Sequence, residues 1–336
     1  MRIRLAVLLA VALIFTACGS ETVDPTSASG AGDTSTTDAP TTSLAAATST
    51  TTTTSSTVAA GFPVTVETAA GTVTVEGRPQ AIVSISPTST EVLFAIGAGS
   101  QVRAADDQSN FPSEAPVTDL TGFSSSAESI AAFEPDLVFL SFDPGDLVSG
   151  LNALGIPVVV HGAAASLDEA YEQIQQAGVL TGNEDAALML IGTIRDQIES
   201  LASQLPARDK PLTYYHELDN TYYSLTSSTF VGEIYDHFGL VNIADPADAD
   251  GFGYPQLSEE FIIEQDPDLI FLADTKCCGQ NAATVAERPG WNQLTAVQTG
   301  RVIELDDDIA SRWGPRITVL LAEISAAIEG VPASTG

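Results

Sequence analysis

The stretch from Asn183 to Leu205 constrains the fold of this chain more than any other. Leu188, Ile191, Ile194, Ile198, Leu201 and Leu205 recur at helical spacing and make one apolar stripe. Asn183 is placed to cap the start, Glu184 and Asp185 suit the positive end of the helix dipole, and Pro206 stops the run. Gly192, inside it, costs about 1 kcal/mol against alanine. At 1.5 Å per residue the helix is roughly 30 Å long, enough to cross a domain. The sequence on its two sides follows one pattern. Glu128 leads through a short helix-like segment to Pro135-Asp136-Leu137, and Glu260 leads in the same way to Pro267-Asp268-Leu269. Each Pro-Asp-Leu opens an apolar run of the kind that forms a strand buried in a parallel sheet. Upstream, hydroxyl-rich helix starts at Thr88 and Ser228 run to Gly97 and Gly239, which suit left-handed C-caps. Common α/β grammar accounts for part of this likeness. The matched Glu-to-Pro spacing favours two α/β lobes around a connecting helix.

The chain then divides into a signal segment (1–18), a tether rich in Thr, Ser and Ala (19–61), an N-terminal α/β lobe (62–182), the connecting helix (183–205) and a C-terminal α/β lobe (206–336). Arg2 and Arg4 precede an apolar run to Phe15, and Thr16-Ala17-Cys18-Gly19 follows, which reads as a secretory signal too short to span a membrane. Its end resembles a bacterial lipobox, with Cys18 as the lipidated residue and Phe15 where leucine is usual. The tether has too few large apolar groups to offset its ordering entropy. Val64–Glu67 and Thr72–Glu76 alternate around Ala70-Gly71 and predict a β-hairpin; Ala81–Ser86 predicts a core strand.

A net charge of −32, from 44 acidic and 12 basic residues, rules against a nucleic-acid partner and against a strongly anionic ligand. Of three cysteines, Cys18 belongs to the lipid site, which leaves the adjacent Cys277 and Cys278 in an oxidising compartment as a candidate vicinal disulfide, either the lip of a pocket or a loop staple. The sequence holds no Gly-x-Ser-x-Gly elbow, His-Glu-x-x-His, Cys-x-x-Cys or Walker loop. His161, His216 and His237 are spread over both halves; their convergence on a metal ion, and a carboxylate-pair hydrolase, are the alternatives to a binding protein. Tyr214-Tyr215-His216, Tyr222-Tyr223 and Gly251-Phe252-Gly253-Tyr254-Pro255-Gln256 place aromatic groups at predicted strand ends and on a Gly-rich loop. Exposed tyrosines there suit a cleft that grips a large, partly apolar ligand; for Tyr214 and Tyr215 a core position is the alternative.

From about Phe62 to Gly330 the chain resembles the helical-backbone (class III) periplasmic binding proteins of ABC importers for vitamin B12, iron–siderophore complexes and haem. The likeness lies in Ile82–Gly97, Ser109-Asn-Phe-Pro112, Glu128 with Pro135-Asp-Leu, Glu287-Arg-Pro-Gly-Trp291, Gly300-Arg-Val302 and Ser311-Arg-Trp-Gly-Pro-Arg316. It implies two Rossmann-like lobes joined by one long helix, a shallow cleft between them, no enzymatic activity and no cofactor beyond the ligand. It also implies a monomer that docks on ABC permease transmembrane subunits through one glutamate per lobe, here Glu128 and Glu260. For the ligand, Tyr254-Pro255-Gln256 and Asp307 or Asp308 with Arg312 resemble the B12 binders, whereas Gln108 stands where those often carry an aromatic, and Phe123 is the nearest residue to the tryptophan they carry before the first glutamate. Ser86, Thr88, Gln108, Phe123, Tyr222, Tyr223, Tyr254, Asp308 and Arg312 are thus the candidate ligand contacts. A ferric catecholate needs several arginines, so a corrinoid, then a neutral ferric chelate, fits the charge better.

Overall fold

The computed structural model describes residues 61–68 and 70–332. The signal segment, Cys18 and the tether to residue 60 lie outside the described residues. An antiparallel hairpin, β1 (Val64–Thr68) with β2 (Gly71–Val75), opens the fold. The N-terminal lobe follows as β3 (Ile82–Ile85), α1 (Pro87–Ala95), β4 (Val102–Ala105), α2 (Ala127–Ala131), β5 (Leu137–Leu140), α3 (Leu147–Ala153) and β6 (Val158–Val160). Two helices, α4 (Leu167–Thr181) and α5 (Glu184–Gln204), lead to the C-terminal lobe. That lobe comprises β7 (Thr213–Glu217), α6 (Phe230–His237), β8 (Val241–Asn242), α7 (Glu259–Gln265), β9 (Leu269–Leu272), α8 (Ala282–Ala286), α9 (Thr295–Gln298), β10 (Val302–Glu304), α10 (Asp307–Ala310) and α11 (Ile317–Glu329).

Each lobe holds a parallel four-stranded sheet, ordered β4-β3-β5-β6 in one and β10-β9-β7-β8 in the other. Counted from the start of its lobe, each sheet reads second, first, third, fourth. The repeated Pro-Asp-Leu does the same work in both. Asp136 accepts the backbone N–H groups of Gln80 at 2.7 Å and Ala81 at 2.9 Å, and Asp268 accepts the N–H of Thr213 at 2.9 Å and its hydroxyl at 3.0 Å. Ala81 and Thr213 lie 55 residues before their carboxylates. Each aspartate satisfies the leading donors of the first strand where the ladder with the third begins. Gly97 and Gly239 close α1 and α6 at φ of +81° and +70°, as the glycine stops required.

The long helix forms over Glu184–Gln204, with two departures from its expected detail. Asn183 does not cap it; the side-chain amide donates to the Thr181 carbonyl at 3.1 Å, and its oxygen accepts from Arg78 at 3.2 Å. Its buried face is Ala187, Ile191, Ile194 and Ile198, while Leu188 is 47% exposed. The reason is that α5 packs between α4 and α11, with Gln197 donating to the Thr318 carbonyl at 3.0 Å. Through these helices one apolar cluster runs from Leu93 and Leu137 by way of Ile174 and Ile194 to Tyr214, Phe271 and Leu321. The lobes therefore share a helical core layer, in place of two cores on a bare strut. Separate clusters cover the opposite sheet faces, around Val83 and Leu140 in one lobe and Ile270 and Trp291 in the other.

A buried polar knot ties the lobes where the sheets' C-terminal ends meet. Glu91 on α1, with its side chain fully buried, accepts Arg312 at 2.8 Å and Arg316 at 2.6 and 2.9 Å. Arg312 also donates to the Asn110 side chain and the Gln108 carbonyl at 3.0 Å, and to Asp308 at 2.8 Å. Removing the one carboxylate that two guanidinium groups share leaves buried charge uncompensated. Glu91→Ala is expected to destabilise the fold by about 3–5 kcal/mol in urea unfolding, against under about 1 kcal/mol for exposed Glu134→Ala.

Candidate functional site

In a parallel sheet of this order, the loops after the first and third strands diverge and leave a crevice at the strands' C-terminal ends. Both sheets turn these ends toward the Glu91–Arg312 junction, because Gln108 and Asn110 follow β4 and Asp308 and Arg312 follow β10. The same edges carry exposed aromatic groups. In the N-terminal lobe Phe123 is 84% exposed, with its ring centroid 5.2 Å from that of Phe142, which follows β5. In the C-terminal lobe Phe252 is 82%, Tyr254 51% and Tyr223 41% exposed. Gly253 at φ +81° holds Phe252 and Tyr254 outward; a Cβ there would meet the Thr229 methyl at 2.8 Å, so only glycine fits. Tyr222 is half-buried at φ +69° and stacks on Trp291, centroids 5.8 Å apart.

The candidate contacts separate into two groups. Gln108, Phe123, Tyr223 and Tyr254 are exposed and Tyr222 is partly so. Ser86, Thr88 and Arg312 are buried, which corrects their expected place on the ligand surface. The Ser86 hydroxyl accepts the Ser89 N–H at 3.2 Å and caps α1. Thr88 lies beneath, between α1, α4 and Trp313. Arg312 is spent on Glu91, Asn110, Gln108 and Asp308. Asp308 is half-buried between Arg312, Asn110 and Lys276. Burial pushes its carboxyl up, but the hydrogen bonds from Lys276 and Asn110 and the Arg312 charge outweigh this and hold it below the ordinary range. Tyr214 and Tyr215 are fully buried, so the core reading applies to both. Phe142 has no local signal in the sequence, whereas Phe252 has one, since it stands between the two glycines beside Tyr254.

The vicinal disulfide expected from the sequence is not formed: Cys277 and Cys278 are free thiols on the loop after β9. Burial, the neighbouring Cys278 thiol and the Asp307 carboxylate push the Cys277 pKa up to about 12, so the thiolate needed for disulfide exchange is scarce at neutral pH. His161 and His216 are buried, and burial draws their pKa values down to about 4 and about 3, keeping both rings neutral. Among the described residues no group of three or more His, Cys, Asp or Glu side chains is placed to hold a metal ion.

Glu128 and Glu260 occupy matched places, each the second residue of a helix, α2 or α7, capped by the serine two positions earlier, Ser126 or Ser258. Both are exposed. The Glu128 carboxyl is held below its ordinary value by its own backbone N–H and by Ser126. Each lobe thereby presents one exposed glutamate in the first turn of a serine-capped helix.

A model of the periplasmic binding protein family matches residues 82–309. The chain is 28% identical over 277 residues to the ABC transporter substrate-binding lipoprotein YvrC of Bacillus subtilis, covering 80% of this chain and 86% of that protein. It is 29% identical over 279 residues to the cobalamin-binding protein of Halobacterium salinarum, covering 80% and 75%. Its fold resembles the vitamin B12 binding protein BtuF of Vibrio cholerae, with TM-score 0.60, 23% identity and coverage of 74% and 96%. It also resembles the heme-binding protein RhuT of Roseiflexus, with TM-score 0.64, 23% identity and coverage of 75% and 98%. Two lobes of identical strand order, bridged by helices, agree with these matches. The chain belongs to the periplasmic binding protein family, the non-enzymatic solute-capturing components of ABC transport systems.

Proposed function

We propose that this protein captures a corrinoid, cobalamin or a close relative, between its lobes and delivers it to an ABC permease. One observation carries the ligand class: Phe123 and Tyr254 hold bare aromatic faces on the C-terminal edges of the two sheets, while Arg312 and Arg316 close by are spent on Glu91. Flat apolar contact with few free cations suits a large ligand of mixed polarity better than a polyanionic chelate. The cobalamin-binding relative of Halobacterium salinarum and the vitamin B12-binding relatives of Vibrio species support the same reading. A neutral ferric hydroxamate is the competitor that the same charge balance admits.

Trp291, stacked under Tyr222, is the natural reporter. Cyanocobalamin should quench its fluorescence saturably, and haem and a ferric hydroxamate should compete poorly. Saturable quenching by the hydroxamate alone would move the assignment to iron uptake. Phe123→Ala or Tyr254→Ala should each weaken cyanocobalamin binding by about 1 kcal/mol, roughly fivefold.

Delivery rests on Glu128 and Glu260 as the permease-docking pair, supported by their exposure and matched helix-start geometry. Glu128→Ala combined with Glu260→Ala should lower uptake into cells severalfold while leaving the affinity of the purified protein unchanged; normal uptake would remove the pair from docking. We place the protein outside the cytoplasm, lipid-anchored to the cell membrane at Cys18. Cys18→Ala should move it from the membrane fraction to the soluble fraction.

A further inference from the structure

Beneath Tyr222 lies a second polar cluster. Glu217, at the end of β7, is fully buried and receives both arms of Arg288 at 2.6 Å. The guanidinium lies 4.5 Å from the Trp291 ring centroid and 5.5 Å from that of Tyr222, so the ion pair also floors the aromatic stack. Arg288 donates further to Gln280 at 2.7 Å, and the Tyr215 hydroxyl donates to Glu217 at 3.2 Å. Beside Glu217, on the loop after β9, stands Asp274. It is fully buried, and neither of its carboxyl oxygens has a hydrogen-bond partner among the described residues. Two acids therefore share one guanidinium, and Glu217 takes all of the geometry.

We propose that Asp274 is a positioning residue for ligand capture: as the neutral acid it leaves Glu217 alone to hold Arg288 under the Tyr222–Trp291 stack, and its ionisation disturbs that stack and weakens binding. The charges that face it are Glu217 on the adjacent strand, Arg288 just past the C-cap of α8 and Asp307 on α10. Tyr215 stands beside it with its hydroxyl proton engaged by Glu217. Burial raises the Asp274 pKa first, the Glu217 charge adds to it, and the Arg288 charge only partly opposes them, which places it at about 7. Because this pKa lies above the ordinary value, the ordered arrangement is favoured at low pH. It is lost as pH rises through neutrality.

The inference rests on the reading of Tyr222 as a ligand contact, and its test separates the two. In ligand-free protein, tryptophan fluorescence should show a transition near neutral pH that is absent in Asp274→Asn, the uncharged isostere, and in Trp291→Phe. In the wild type, cyanocobalamin affinity should fall by roughly tenfold from about pH 6 to about pH 8, within the limit of tenfold per pH unit for one proton. Asp274→Asn should bind equally at both. A flat wild-type titration, or a transition that persists in Trp291→Phe, overturns the proposal even if Asp274→Asn does not fold. A normal ligand-free transition with no cyanocobalamin binding at any pH would uphold control of the stack by Asp274 and sink the corrinoid assignment.

Discussion

The arrangement of this protein depends on one buried carboxylate. Glu91 stands at the C-terminal end of the first sheet and accepts two arginines that belong to the second lobe. Two guanidinium groups around a single acid leave a net positive charge, which Asp308 offsets from 2.8 Å. In a low-dielectric setting such a knot tolerates little rearrangement, because any lost partner leaves a desolvated charge. It ties together the loops that follow β4 and β10, on the same sheet edges that carry the exposed aromatic groups.

The charge balance extends this logic. With 12 basic residues against 44 acidic ones, cations are scarce, and Arg288, Arg312 and Arg316 are committed to interior acids. Phe123, Tyr223, Phe252 and Tyr254 are among the large aromatic side chains left exposed on the loops at the sheets' C-terminal ends. The shared apolar layer of α4, α5 and α11 has a mechanical counterpart. Separating the lobes would expose surface at about 25 cal/mol per Å², so small shifts of the loops over a fixed base are favoured over wide opening.

Where the sequence misled, the cause was long-range partnering. Ser86 and Thr88 have the polar groups of a binding loop, yet the helix they start turns them inward, where Ser86 satisfies an N–H that would otherwise lack a partner. Arg312 has the character of a ligand contact, but its partners Glu91 and Gln108 lie 221 and 204 residues away in sequence. The adjacent cysteines invite a bridge, yet their loop is held from a distance: the Asp307 carboxylate of α10, thirty residues later, accepts the Cys277 N–H at 2.8 Å. Asp274 shows no local signal at all: its meaning comes from Glu217 and Arg288, supplied by a different strand and a different helix.

What the sequence determined by itself was everything governed by short-range periodicity and turn chemistry. That includes two lobes of one grammar, the Pro-Asp-Leu strand starts, the glycine stops, the span of the long helix and the matched glutamates at helix starts. These follow from hydrogen-bonding needs met within a few residues, or from apolar spacing that must face a core. Only the tertiary structure decided that the helix lies inside a layer common to both lobes, which arginines are consumed in the interior, and which tyrosines remain exposed. Burial and charge pairing are properties of residues brought together from distant parts of the chain, and no local pattern encodes which of several similar side chains will find a partner.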